Sequence, residues 1–93
     1  MALYVMTGFD REDGLDVRKA TRPAHLEWVD GLGARVKFAG PMLSEDGGTP
    51  AGSLIVVEAE NLAAAQALFE EDPYARAGLW ARLEVRPIVQ VKP

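Results

Sequence analysis

Ser53-Leu54-Ile55-Val56-Val57-Glu58-Ala59-Glu60-Asn61 joins an apolar run to a helix-capping asparagine and anchors the order of elements on either side. Its apolar run, rich in β-branched residues, fits a strand covered on both faces, spanning Ser53 to Glu60. Asn61 then offers a side-chain cap to an alanine-rich helix over Leu62–Glu71, whose Ala65, Leu68 and Phe69 can face a core. Pro73 disfavours helical geometry at Asp72, so this helix is expected to stop there. Upstream, Ser44–Gly52 is a long polar loop full of turn residues, and Val36–Met42 reads as a further strand closed by Gly40-Pro41. Two strands and a helix therefore surround the quoted segment.

Moving toward the N-terminus, Ala2–Thr7 is a continuous apolar run stopped by Gly8 and reads as the first strand. Phe9–Asp16 is acidic and turn-like, without the alternating oxygen-ligand spacing of a calcium loop, and is expected to be a solvated connector that binds nothing. From Val17 the pattern turns helical: Arg18, Arg22 and His25 follow one another at helical offsets and share a face, beside an apolar stripe of Leu26, Val29 and Leu32. Pro23 is tolerated in a first turn and kinks a helix interior, which predicts either a fresh start capped near Thr21 or Arg22, or a bent helix from about Asp16. The first alternative puts His25 in a first turn. Gly31 and Gly33 end the helix, and at the far end of the chain Leu79–Val91 alternates, with Leu83, Val85, Val89 and Val91 on one side and Glu84, Arg86 and Gln90 on the other.

Strand, helix, strand, strand, helix, strand is the split βαβ order of a ferredoxin-like α+β domain, here a single domain over residues 1–93. Two helices cover one face of such a sheet, while Leu3, Tyr4, Val5 and Met6 and Leu54 to Val57 are apolar on both. A homodimer packed sheet against sheet is the expected cover. Chain direction also has a chemical consequence. If the first strand runs up, the start of the first helix with His25, the end of the second with Asp72, Gly40-Pro41 and Ser53 all lie at one end of the sheet.

Composition narrows the partners. The chain has 93 residues and a net charge of −4, with ten Lys and Arg scattered among fourteen acids, which argues against a nucleic-acid backbone. It has no cysteine, which removes disulfides and thiolate metal sites, and a single histidine, so a zinc site would need mainly carboxylates. The first residues lack a basic leader and are too short for a membrane span, and a soluble cytoplasmic protein is expected. No Gly-x-Gly-x-x-Gly or phosphate loop is present, so a nucleotide site is not expected; with one histidine and no thiol no metal is expected, and no cofactor is expected.

Arg22-Pro23-Ala24-His25-Leu26, Ala39-Gly40-Pro41, Asp72-Pro73-Tyr74 with Gly78, and Val85-Arg86-Pro87, in this order, resemble the YciI-related family from the first strand to the last. Each motif alone is weak; the four together are fairly specific. The resemblance implies a dimeric ferredoxin-like barrel with an active site centred on a histidine and an aspartate, here His25 and Asp72. Ile88 departs from the pattern, since the family often carries an aromatic residue after the basic-proline pair.

His25 is the only side chain here whose ordinary titration falls near neutral pH. With Asp72 it suits acid–base proton transfer, an elimination, isomerisation or decyclisation, on a small phenolic or carboxylate molecule without any cofactor. Arg18, Arg22, Ser53, Gly40, Pro41 and Tyr74 are the expected substrate-binding residues. Ser44 and Ser53 could approach His25, but no nucleophile elbow precedes either. Two dipole influences are expected on the pair: a helix start opposing a charged His25, and a helix end opposing Asp72. The alternative function is a non-catalytic binding or interaction module using the same cleft or the dimer.

Overall fold

The computed structural model describes residues 1–93 and contains β1 (Ala2–Asp10), α1 (Leu15–Leu32), β2 (Val36–Leu43), β3 (Pro50–Ala59), α2 (Leu62–Glu70), α3 (Pro73–Arg76) and β4 (Trp80–Ile88). A single 3-10 turn, Gly33–Arg35, joins α1 to β2. The four strands form one antiparallel sheet in the order β2-β3-β1-β4, with the helices packed on one face, which is the ferredoxin-like α+β arrangement. The quoted strand is central, with β2 and β1 as neighbours.

Alternation on β1 and β3 sends Tyr4, Met6, Ile55, Val57 and Ala59 to the helix side. There they join Ala65, Leu68 and Phe69 of α2 and Val85 of β4 in one core. Burying each of the larger of these side chains contributes roughly 1.5–3 kcal/mol, an upper figure because an unfolded chain is already partly collapsed. Asn61 caps α2 as expected, its Oδ1 accepting from the Ala64 N–H at 2.8 Å.

Several element limits differ from the sequence expectation, each for an identifiable reason. β1 runs through Gly8 to Asp10, because Gly8 pairs with both Ser53 and Leu83 and its missing side chain makes room for the Trp80 ring. A Cβ at Gly8 would lie 2.6–2.7 Å from that ring. Gly8→Ala is therefore expected to cost about 1–3 kcal/mol, read as a lower urea midpoint with an unchanged slope. An unchanged midpoint would mean that Trp80 moves freely. β4 ends at Ile88, the partner of Leu3 one residue from the start of β1, so Val89 is left unpaired, Val91 lies past the end of β1, and the two are 86% and 90% exposed. They do not belong to the buried side. β2 is an edge strand, which lets Pro41 sit within it rather than close it.

The first helix is one uninterrupted element from Leu15 with Pro23 inside it, and no fresh start occurs at Thr21 or Arg22. Pro23 is exposed, so the backbone acceptor that loses its partner there can be met by water. His25 accordingly lies in the third turn, not the first.

On the opposite face of the sheet Leu3, Val5, Leu54 and Val56 are only half-buried, and Phe38 of β2, opposite Val56, is 58% exposed. Lys37–Glu58, Arg82–Glu84 and Arg86–Glu84 ion pairs stand among or beside these apolar residues.

Candidate active site

A cavity of about 340 Å³ opens between α1 and the β2–β3 hairpin, at the end of the sheet where chain direction brings the expected segments together. Arg18, Arg22 and His25 of α1, Gly40 and Pro41 of β2, Ser53 of β3 and Tyr74 of α3 all line it. Asp72 stands behind this wall, fully buried, and reaches the cavity only through His25.

His25 is brought to Asp72 by the packing of α1 on α3. Its Nδ1 lies 2.9 Å from Asp72 Oδ1 and 3.0 Å from Oδ2. A carboxylate can only accept, so Nδ1 carries the proton and donates, which leaves the Nε2 lone pair free. Asp72 Oδ1 also accepts from the Tyr74 N–H at 2.9 Å, making Asp72 the N-cap of α3 with Pro73 in the first position. This corrects the dipole expectations for both residues. The Asp72 carboxylate sits at the favourable start of α3, past the end of α2 at Glu70, and His25 is too deep in α1 to feel that helix's start.

Tyr74 links the two halves of the site. Its ring stacks on the His25 imidazole at 4.1 Å with planes 19° apart, and the Arg18 guanidinium carbon lies 4.7 Å from the same ring's centroid. Burial raises the Tyr74 phenol above its ordinary range, against the pull of Arg18 and then Arg22, so it stays protonated at neutral pH.

Arg18 is held along the Nε–Nη2 edge of its guanidinium. Its Nε donates to Asp10 Oδ2 at 2.7 Å, and its Nη2 donates to Asp10 Oδ1 and to Ser53 Oγ, both at 2.9 Å. Burial opposes the Arg18 charge, but the hydrogen bonds and charge of Asp10 outweigh it and raise the guanidinium's pKa. Asp10 is thus no part of a solvated connector: it is the last residue of β1, beyond a bulge at Phe9/Asp10, and its side chain is 7% exposed. The sequence reading missed it because an acidic, glycine-containing run looks like a loop. Lys19, which also lines the cavity, was missed as well; its place next to Arg18 and one turn before Arg22 was the available signal.

Ser44 bonds within its own loop, to Asp46 and the Thr49 N–H, and Ser53 bonds Arg18 rather than His25. A serine–histidine–aspartate set is not formed. No group of three or more His, Cys, Asp or Glu side chains comes together to hold a metal ion. Exhaustive chelation is expected to leave the thermal midpoint unchanged; a fall reversed by a divalent cation would contradict this. No helix is long and apolar enough to cross a membrane.

The YCII-related domain family model matches residues 2–89. The chain belongs to this family. Among YCII-related relatives, Protein YciI of Escherichia coli O6:H1 (strain CFT073) is 38% identical over 96 aligned positions, covering 96% of this chain and 98% of that protein. A solved structure similar in shape is 5-chloro-2-hydroxyhydroquinone dehydrochlorinase (TftG) from Burkholderia phenoliruptrix AC1100, in complex with 2,5-dihydroxybenzoquinone. It is 32% identical, with a TM-score of 0.82 over 90% of each chain. An antibiotic biosynthesis monooxygenase, 11% identical with a TM-score of 0.59 over 99% of this chain and 100% of that one, shares the ferredoxin-like fold alone.

Proposed function

We propose that this protein is a small cofactor-free enzyme that moves a proton on a small organic molecule, with His25 Nε2 as the acid–base and Asp72 fixing the ring and its tautomer. The observation that carries this reading is the His25 Nδ1 contact with a fully buried Asp72, which leaves the opposite ring nitrogen unclaimed in a residue lining the cavity. A proton-transfer group of this kind needs such an orienting partner, and it gains a further one in the stacked Tyr74. The dehydrochlorinase TftG, similar in shape and bound to a dihydroxybenzoquinone, supports an elimination, isomerisation or decyclisation on a phenolic or carboxylate substrate. Arg18, Arg22, Ser53, Gly40, Pro41 and Tyr74 form the substrate-binding wall. The test is a turnover screen against hydroxylated aromatic and carboxylic metabolites, 2,5-dihydroxybenzoquinone and its chlorinated precursors included, followed by the His25 variants. Tight binding with no turnover across such a panel would favour a binding module instead.

The working unit in this proposal is a homodimer in the cytoplasm, in which the open sheet faces with Leu3, Val5, Phe38, Leu54 and Val56 pack against each other inside a charged rim. Sedimentation at micromolar concentration is expected to give twice the mass of 10.1 kDa. A single-chain mass there would remove the sheet-to-sheet packing.

A further inference from the structure

The charges around the cavity do not match those of the chain as a whole. The protein is acidic, at −4, yet the residues lining the cavity include Arg18, Lys19 and Arg22 and no aspartate or glutamate. These three cations are not equivalent. Arg18 spends Nε and Nη2 on Asp10 and Ser53, and its charge is balanced by a carboxylate 2.7 Å away. Lys19 and Arg22 take part in none of the ion pairs of the molecule, and both are exposed at the mouth. Arg22 also acts inward, since its charge is felt by the buried Tyr74 phenol.

We propose that the cavity selects organic anions, an ionised phenol or a carboxylate on a small ring, and that Arg22 and Lys19 receive the anionic group while Arg18 does not bind it directly. Arg18 has a different part. By donating to Ser53 Oγ it leaves the serine's own proton free, so Ser53 presents a polarised hydroxyl donor to a substrate oxygen deeper in the cavity. Two uncompensated cations at the entrance raise the local concentration of an anion and lower the pKa of an acidic hydroxyl bound there. The clamp is solvent-facing, so it distinguishes charge; the buried Ser53 donor, held by Arg18, distinguishes position. This rests on the reading of the cavity as the substrate site, and not on the chemistry of His25.

The test uses 4-nitrophenol, whose phenolate absorbs visibly and whose solution pKa lies near neutrality, titrated with the purified protein at fixed pH and low salt. Binding is expected to raise the phenolate band, corresponding to a fall of about one unit in the probe's pKa, a roughly tenfold preference for the anion. The pair Lys19→Gln with Arg22→Gln should remove most of that fall, and added salt should diminish it. Arg35→Gln, an exposed cation away from the cavity, should leave it unchanged. Since Lys19 and Arg22 are exposed, far-UV circular dichroism of the pair should match wild type. Absence of binding, binding of the neutral phenol, or a full shift in the double variant would each overturn the proposal. Anion binding without turnover of any substrate would leave it standing and remove only the acid–base role of His25.

Discussion

His25→Ala is expected to lower turnover by about a hundredfold to ten-thousandfold, the usual loss on deleting a positioned acid–base group, while the chain stays folded. The fold should survive, at some cost in stability, because His25 lies outside the core cluster of β1, β3, β4 and α2 and the buried Asp72 carboxylate keeps the Tyr74 N–H as a partner at the start of α3. Asp72→Asn should cost less. In the native site Oδ1 accepts from both His25 Nδ1 and the Tyr74 N–H, so an asparagine oxygen placed there keeps both bonds and the start of α3. Its amide nitrogen would then fall where Oδ2 stands, 3.0 Å from Nδ1, and two donors would face each other. A share of the molecules would relieve this by moving the ring proton to Nε2, which removes the free base, and none could stabilise an imidazolium as a carboxylate does. The measurement is kcat for both variants on a substrate found by the screen, with circular dichroism as the folding control. His25→Ala rates within a few fold of wild type would make the histidine structural and end the acid–base reading.

The sequence made the element order legible because each strand is a short apolar run ended by turn residues and each helix has a periodic stripe. It also brought His25 and Asp72 to the same end of the sheet, since alternating chain direction needs no side-chain information. What it hid depended on neighbours that are distant in sequence. Val89 and Val91 alternate like strand residues, but a strand ends where its partner ends, and beyond the Leu3–Ile88 pair β1 has only Ala2 left. Gly8 looks like a stop until Trp80 supplies the ring that needs its space. Pro23 is ambiguous in a sequence because its cost depends on whether water can reach the freed carbonyl. Asp72 could be placed at a helix boundary, but which helix it belongs to was decided by the Tyr74 N–H.

Asp10 is the most consequential of the hidden residues, and it carries the second large expectation. Arg18→Met should destabilise the protein by about 3–5 kcal/mol, because it leaves a carboxylate with 7% exposure unpaired beneath α1. For a domain of this size that is a large part of the whole margin, about 5–15 kcal/mol. An alternative cause would be lost packing of the arginine stem, which methionine replaces almost in full. The double variant Arg18→Met with Asp10→Leu separates the two: if the cost comes from the stranded charge, removing the carboxylate should return the urea midpoint to near the wild-type value or above it. If the double variant is no more stable than the single, the pair is not the source. If Arg18→Met alone costs under about 1 kcal/mol, the ion pair behaves like one in water, despite its burial. The same variants bear on the cavity. With both partners gone Ser53 loses the donor that holds its oxygen, while Lys19 and Arg22 remain, so a phenolate probe should still bind as the anion but with its position less fixed. Anion preference and geometric control would thereby be assigned to different residues of the same helix, the first to the exposed pair at the mouth and the second to the buried arginine between Asp10 and Ser53.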